Sequence, residues 1–174
     1  MEDKPLVNRV AQSGLITLNL ENYFPQEPVV GFDLKEYLFK EFILKEKDFR
    51  IALKSIDWNQ YQDKIVVVYC SNDAIIPVWA YMLVTSYATP FAKTVFQGTQ
   101  EEYLKHYFEV ALQSLDLAAY KGKKLVIKGC SDLPVPASAY VSITRLFQPI
   151  VSSIMYGEPC STVPIYKQKS LRKN

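Results

Sequence analysis

Three cysteines of this chain are each followed directly by a serine, at Cys70-Ser71, Cys130-Ser131 and Cys160-Ser161. Cysteine thiolates are soft ligands that suit zinc, Cu(I) and iron–sulfur clusters. An odd number of cysteines is typical of free thiols or metal ligands rather than of paired disulfides. The three pairs therefore predict a site at which Cys70, Cys130 and Cys160 hold a metal ion or an iron–sulfur cluster.

Acidic residues accompany the Cys-Ser pairs and offer a fourth ligand or a base. They are Asp73, Asp132 and Glu158. For Asp73 and Asp132 the alternative is a structural role, in which the carboxylate caps the helix that follows. The supporting loop residues of the predicted site are thus Ser71, Asp73, Ser131, Asp132, Glu158 and Ser161.

Two other interpretations of the cysteines stay open. The cysteines lie 60 and 30 residues apart, which matches no short CxxC metal-binding motif. Free cysteine is among the most buried residue types, so the thiols could pack as small apolar side chains of a non-catalytic interaction or scaffold protein, expected as a homodimer. A thiol enzyme or sulfur carrier would need a base beside a cysteine, and the one histidine, His106, is expected on a solvated helix face.

An internal repeat indicates which elements position these loops. Shifted by 59 residues, the chain shows 15 identities in the 50 pairs that begin with Phe49 and Phe108. Chance would give roughly three at ordinary amino-acid frequencies. Two copies are too few for an open solenoid, so we expect them to share one core.

Each repeat predicts a helix, a strand, the Cys-Ser loop, a second helix and a short strand. The first helix spans residues 44–57 or 100–116, and the first strand spans 64–69 or 124–128. The run Ile65-Val66-Val67-Val68 does not alternate, which is typical of a strand buried on both faces. The second helix opens at Pro77 or Pro136, and Tyr81 and Tyr140 one turn later are expected to direct their hydroxyls into the loops.

A strand–helix–strand crossover implies parallel strands, and ligands of open parallel sheets bind at the carboxyl ends of the strands. All three cysteines follow such ends. We therefore predict an α/β fold in which two pseudo-symmetric α-β-α-β repeats share one largely parallel sheet, preceded by a strand at 14–20 and a helix at 33–46. The expected organisation is a single domain, 1–174, with an N-terminal addition at 1–48, repeat units at 49–98 and 108–157, and a Cys-containing segment with a basic tail at 158–174.

Composition narrows the functional classes. The 174 residues are 49% hydrophobic and 22% charged, an ordinary globular balance. A net charge of only +2 argues against a nucleic-acid binder. The longest apolar stretch, 74–84, is too short to span a membrane, and the first residues lack a signal core, so we expect a cytoplasmic protein. No glycine-rich phosphate loop and no GxSxG motif occurs.

Several longer strings resemble an uncharacterised bacterial family, a domain of unknown function, over essentially the whole chain. They are VNRVAQSGL at 7–15, LKEKDFR at 44–50, KGCSD at 128–132 and YGEPCSTVP at 156–164. Genes of that family often lie beside those of the SUF iron–sulfur assembly system. The resemblance therefore implies a role close to cluster assembly or sulfur handling, with iron–sulfur assembly proteins as partners.

Overall fold

The computed structural model describes residues 14–129 and 132–169. In chain order their elements are β1 (Leu15–Asn19), β2 (Val29–Asp33), β3 (Leu38–Phe39), β4 (Ile43–Leu44), α1 (Glu46–Ser55), β5 (Ile65–Tyr69), α2 (Val78–Ala88), β6 (Thr94–Gln97), α3 (Gln100–Gln113), β7 (Lys124–Lys128), α4 (Ala137–Phe147), β8 (Ser153–Glu158) and β9 (Ser161–Lys167). Short 3-10 turns follow β1 and β2 and precede β5 and β7.

The chain divides into two compact units. One comprises residues 25–106 and is called the central unit, since it is central in the sequence. The other, the flanking unit, comprises residues 14–24, 107–129 and 132–169. The two names refer to order along the chain only.

The central unit is built on a parallel sheet in the order β2-β5-β6. Its middle strand is buried on both faces, as the sequence predicts, because residues 65–68 are at most 2% exposed. Helix α1 contributes Phe49 and Leu53 to the core, and α2 contributes Ala80 and Val84. Burial of these apolar side chains is the main force that holds the helices against the sheet.

The flanking unit is built on a four-stranded sheet in the order β1-β7-β8-β9. The first three strands are parallel, and β9 runs antiparallel to β8. Helix α3 contributes Phe108 and Leu112 to its core, and α4 contributes Ile143 and Phe147. None of the helices in the described part of the chain is long and apolar enough to cross a membrane.

The same elements recur in the two units at the same pairing register. Ile65 pairs with Val29 and Thr94 in the central unit. Lys124, 59 residues later, pairs with Leu15 and Ser153 in the flanking unit. The partners Thr94 and Ser153 follow the 59-residue offset found in the sequence, whereas the edge-strand partners Val29 and Leu15 do not. The origin of the two units by duplication stays a prediction.

The predicted α/β fold with largely parallel strands is confirmed, but the single shared sheet is wrong. The parallel strands of the described residues belong to two separate hydrogen-bonded sheets. The physical reason lies in the N-terminal segment, which supplies an edge strand to each unit: β1 pairs with β7, and β2 pairs with β5. Each middle strand therefore has both of its edges satisfied within its own unit.

The predicted helix at 33–46 is also wrong. Asp33 caps a 3-10 turn at Leu34–Tyr37 by accepting a hydrogen bond from the Lys35 N–H group, and the chain then forms the β3–β4 hairpin. Lys40 and Glu41 adopt positive φ values of 50° and 66° at its tip. Positive φ at both central turn residues matches the twist of β3 and β4 on either side, which explains how the hairpin closes here.

The C-terminal segment, expected as a loop and tail, forms the edge strand β9. Pro164 lies in this strand, and the register with β8 shifts next to it, which leaves Ile165 as a bulge residue. Proline is tolerated at an edge or a bulge because no ladder hydrogen bond from its nitrogen is needed. Gly157 permits the tight β8–β9 pairing, since a Cβ there would lie 2.6 Å from the Ser161 carbonyl oxygen.

Candidate functional site

Cys70 follows the last residue of β5 directly, at the carboxyl edge of the central unit's sheet. Its side chain is a free thiol, half-buried, and it packs against the core of that unit. Burial raises the pKa of the nearby Tyr81 hydroxyl, and the adjacent Cys70 raises it further. Tyr81 therefore stays protonated at neutral pH, and its hydroxyl lies close enough to Cys70 for the two groups to influence each other electrostatically.

Asp33, at the end of the neighbouring strand β2, holds the Cys70-Ser71 loop in place. Its carboxylate oxygen Oδ1 accepts hydrogen bonds from the N–H groups of Ser71 and Lys35, each at 3.0 Å. Burial works to raise the pKa of Asp33, but the hydrogen bonds from the Ser71 hydroxyl and from these two N–H groups outweigh it, so the pKa is lowered. A charged carboxylate thus anchors the loop at neutral pH.

Tyr140 anchors the start of the corresponding loop in the flanking unit. Its hydroxyl donates a hydrogen bond of 2.6 Å to the carbonyl oxygen of Gly129, the residue directly after β7. The expectation that this hydroxyl turns into the loop is confirmed. Farther along, Glu21 Oε1 accepts a hydrogen bond of 3.0 Å from the Asp132 N–H group. The predicted site residues Cys130 and Ser131, between these two anchors in sequence, lie outside the described residues.

Cys160 lies at the turn between β8 and β9, where its free thiol is exposed. Ser161 begins β9 and is also exposed. Glu158, which ends β8, forms an ion pair with Lys128, whose Nζ lies 3.1 Å from Oε1 and 3.3 Å from Oε2. This ion pair is partly exposed, so it adds little to the β7–β8 pairing, but the Glu158 carboxylate would have to leave Lys128 to act as a metal ligand.

The comparisons with known proteins identify the family. A family model described as "Protein of unknown function (DUF2480)" matches residues 4–168. The chain belongs to the DUF2480 family. This confirms the resemblance to a domain of unknown function. Comparison with curated proteins and with solved structures found no match.

The predicted meeting of three thiols in this DUF2480 chain stays a prediction. Cys70 belongs to the central unit and Cys160 to the flanking unit. Among residues 14–129 and 132–169, no group of three or more His, Cys, Asp or Glu side chains is arranged to hold a metal ion. That result does not include Cys130, which the prediction requires.

The alternative role of Asp73 and Asp132 as helix caps is wrong. Helices α2 and α4 have Pro77 and Pro136 at their N-cap positions, several residues later, and neither cap makes a side-chain hydrogen bond. Both aspartates are exposed.

Sequence reasoning missed Asp33 and Glu21, the two carboxylates that hold the loops. The sequence predicts Asp33 at the start of a helix, and Glu21 belongs to no sequence motif that indicates a role. They contact loop residues that are 38 and 111 positions away along the chain. The one usable signal concerns Asp33. Aspartate and asparagine commonly cap turns, as Asp33 and Asn19 do at the ends of β2 and β1.

Proposed function

We propose that this protein is a cytoplasmic accessory protein of iron–sulfur or sulfur metabolism that holds a metal ion or cluster on its Cys-Ser loops. The observation that carries the proposal is the position of Cys70 directly after β5, at the carboxyl edge of a parallel sheet. That edge is where open α/β sheets bind their ligands. A reducing compartment keeps such thiols free.

The donor chemistry fits a soft metal. The thiols of Cys70 and Cys160 are both free, and Cys130 follows the end of β7 by two positions in the sequence. Thiolates of this kind would bind zinc or the irons of a cluster, with metal–sulfur distances of about 2.3 Å. Asp73 and Asp132, which are exposed, supply oxygen donors near two of the three loops. A bound cluster would supply electron or sulfur transfer, and iron–sulfur assembly proteins are the partners we propose.

Two anchors support the proposal, because they keep each loop's backbone in place without using its thiol. In the central unit this anchor is Asp33, which accepts the Ser71 N–H group. In the flanking unit it is Glu21, which accepts the Asp132 N–H group. A ligand-bearing loop that is held by neighbouring groups loses less conformational entropy when it binds its ligand.

Anaerobic purification with elemental analysis tests the proposal. We expect iron with acid-labile sulfide, or zinc, in a fixed ratio to the protein, and its loss from Cys130→Ser with circular dichroism unchanged. The matched controls are Ser71→Ala and Ser161→Ala, which keep every thiol and should keep the metal. Unchanged metal content in Cys130→Ser would refute the proposed ligand set. Protein that remains metal-free after reconstitution would refute the metal itself.

An interaction protein is the second candidate, and a specific observation favours it. Ile75, Val78 and Met82, in and before α2 of the central unit, are 92%, 74% and 68% exposed. Exposed apolar side chains grouped on one element are typical of protein-binding surfaces. Under this candidate the surface joins two copies of the chain.

Sedimentation velocity over a range of protein concentrations tests the second candidate. Met82→Lys should shift a dimer to monomer, because it places a charge in the apolar contact. Val141→Lys is the matched control, since Val141 is 70% exposed at the equivalent position of α4. A chain that sediments as a monomer at every concentration, or that responds equally to both variants, would contradict a homodimer through α2.

A further inference from the structure

The flanking unit contains an apolar cavity of about 420 Å³ that the cysteine-based proposal does not use. Its walls are Ile127 of β7, Tyr156 of β8, Val135 before α4, and Tyr140 and Thr144 of α4. Ile165 completes the wall from β9. The volume lies within the range of about 300–1,000 Å³ found for small-molecule sites.

The β9 bulge forms part of this cavity. Ile165 is the extra residue at the register shift, between Pro164 and Tyr166, which pair with Met155 and Ile154. A bulge re-aims the side chain that it displaces, and bulges are common beside binding sites. The bulge thus gives the edge strand a cavity-lining side chain that a regular strand would not supply.

The two tyrosines give the cavity a fixed aromatic wall. Their ring centroids lie 5.8 Å apart in an edge-to-face arrangement. The Tyr140 hydroxyl is held by Gly129, and the Thr144 hydroxyl donates to the Tyr140 carbonyl oxygen at 2.7 Å. Since the threonine hydroxyl is already donated to the helix backbone, this cavity suits an apolar or aromatic body.

A groove of about 650 Å³ adjoins the cavity and shares Tyr140 and Thr144 with it. Arg145 and Gln148 of α4 and Tyr166 of β9 also line the groove. Arginine stays charged at all physiological pH values and binds carboxylates, sulfonates and phosphates. Within the part of the chain that the structure describes, no carboxylate lies at ion-pair distance from Arg145.

We infer that the flanking unit binds a small amphiphilic anion, with its apolar body against Tyr140 and Tyr156 and its anionic group at Arg145. The charge of Arg145 attracts the anionic group of the ligand, and the apolar wall of the cavity packs against the rest of the ligand. The inference does not depend on a metal or on any cysteine. The Tyr140–Gly129 hydrogen bond does connect the cavity wall to the loop that leads to Cys130.

Two fluorescent probes that differ in charge test the inference. They are 8-anilinonaphthalene-1-sulfonate, which is an aromatic anion, and the neutral N-phenyl-1-naphthylamine. We expect both to bind saturably to the intact chain. Arg145→Gln should weaken the anion by up to roughly fivefold, the size of a solvent-screened ion pair, and leave the neutral probe unchanged. Arg50→Gln, in α1 of the central unit, is the matched control and should change neither.

A cavity-filling variant locates the binding. Ala137 lines the cavity at the first residue of α4, so Ala137→Trp should abolish binding of both probes. Val78→Trp, at the equivalent position of α2, should leave both unaffected. If Ala137→Trp fails to fold by circular dichroism, Ile165→Glu on the half-exposed edge strand replaces it, with the same expectation. Absence of saturable binding to the intact chain, or binding that survives the folded cavity variant, would overturn the inference.

Discussion

The two units place unlike residues directly after the middle strands of their sheets. In the central unit Tyr69 ends β5, and Cys70 follows with a half-buried thiol beside Tyr81. In the flanking unit Lys128 ends β7, and Gly129 follows with its carbonyl oxygen bonded to Tyr140. The strand registers correspond, so the two positions are equivalent in the sheets.

The cores of the two units differ far less than these edges. Phe49 and Phe108 are both at most 1% exposed, and so are Leu53 and Leu112. Close packing restricts which side chains fit in a core, whereas a loop at a sheet edge can change its residues at little cost. The comparison teaches that the two units differ mainly at the carboxyl edges of their sheets, on frames with similarly buried cores.

Truncation of the matched core phenylalanines tests whether the two cores are equivalent, and it should give the largest effect on stability. Phe49→Ala and Phe108→Ala should each lower the free energy of unfolding by about 3–5 kcal/mol, because each leaves a large cavity in a packed core. Urea denaturation followed by circular dichroism measures the loss. The controls Ile51→Ala and Val110→Ala replace side chains that are 60% and 55% exposed on the same helices, and each should cost less than about 0.5 kcal/mol. A large cost in one unit and a small one in the other would show that the frames are not alike.

Substitution of Gly129 by alanine tests why the residue after β7 differs from Cys70, the residue after β5. Gly129 has a φ of +147°, and an added Cβ would lie 2.9 Å from Leu20 Cβ and 3.1 Å from the Tyr140 hydroxyl oxygen. Gly129→Ala should therefore destabilise the protein by about 2–4 kcal/mol through backbone strain and overpacking. Differential scanning calorimetry compares it with Gly122→Ala, where φ is +70° and nothing lies within 4 Å of the added atom.

The control Gly122→Ala separates the cost of backbone strain from the cost of steric overpacking. Gly122→Ala should cost only about 1 kcal/mol, the cost of a left-handed conformation for one residue with a Cβ. Equal melting temperatures for the two variants would mean that the contacts with Leu20 and Tyr140 do not restrict Gly129. The edge of the flanking unit would then tolerate a side chain as the central unit tolerates Cys70.

Local patterns predicted the frames well. The unalternating run at Ile65–Tyr69 and the helical spacing of Phe108 and Leu112 gave elements within a few residues of those in the structure. Strand β2 was missed because it is short and contains Gly31, and the segment after it has helical composition. Strand β9 was missed because Pro164 argues against a strand unless the residue lies at an edge or bulge.

The environment of the candidate site was harder to predict for a different reason. The positions of Cys70 and Cys160 at element ends follow from local order along the chain. The groups that hold the loops come from other strands, and so does the Ile165 side chain that lines the cavity. Register and strand order decide these contacts, and neither is encoded in any short stretch of residues.

The smallest expected effect comes from exchanging the anchor residue itself. Asp33 ends β2, and Asn19 ends β1 at the equivalent register, where its side chain accepts the Glu21 N–H group at 3.2 Å. Asp33→Asn therefore gives the central unit the flanking unit's residue and removes one charge. The pKa of Asp33 lies below its ordinary value of 3.8, so its charge stabilises the fold above that pH, and the stabilisation is lost as the pH falls through the lowered pKa.

We thus expect Asp33→Asn to lower the free energy of unfolding by less than about 1 kcal/mol at neutral pH, because the site is partly exposed. The difference from the unmodified chain should begin to shrink as the pH falls below the ordinary value of 3.8, and it should shrink further as the pH falls through the lowered pKa of Asp33. Urea midpoints measured at neutral pH and at a pH below the lowered pKa of Asp33 check this. Ser71→Ala should give a smaller change of the same sign. A difference that persists undiminished in acid would mean that the amide changes the loop's geometry and does not act only by removing the charge. Aspartate and asparagine would then not be interchangeable at the ends of β2 and β1.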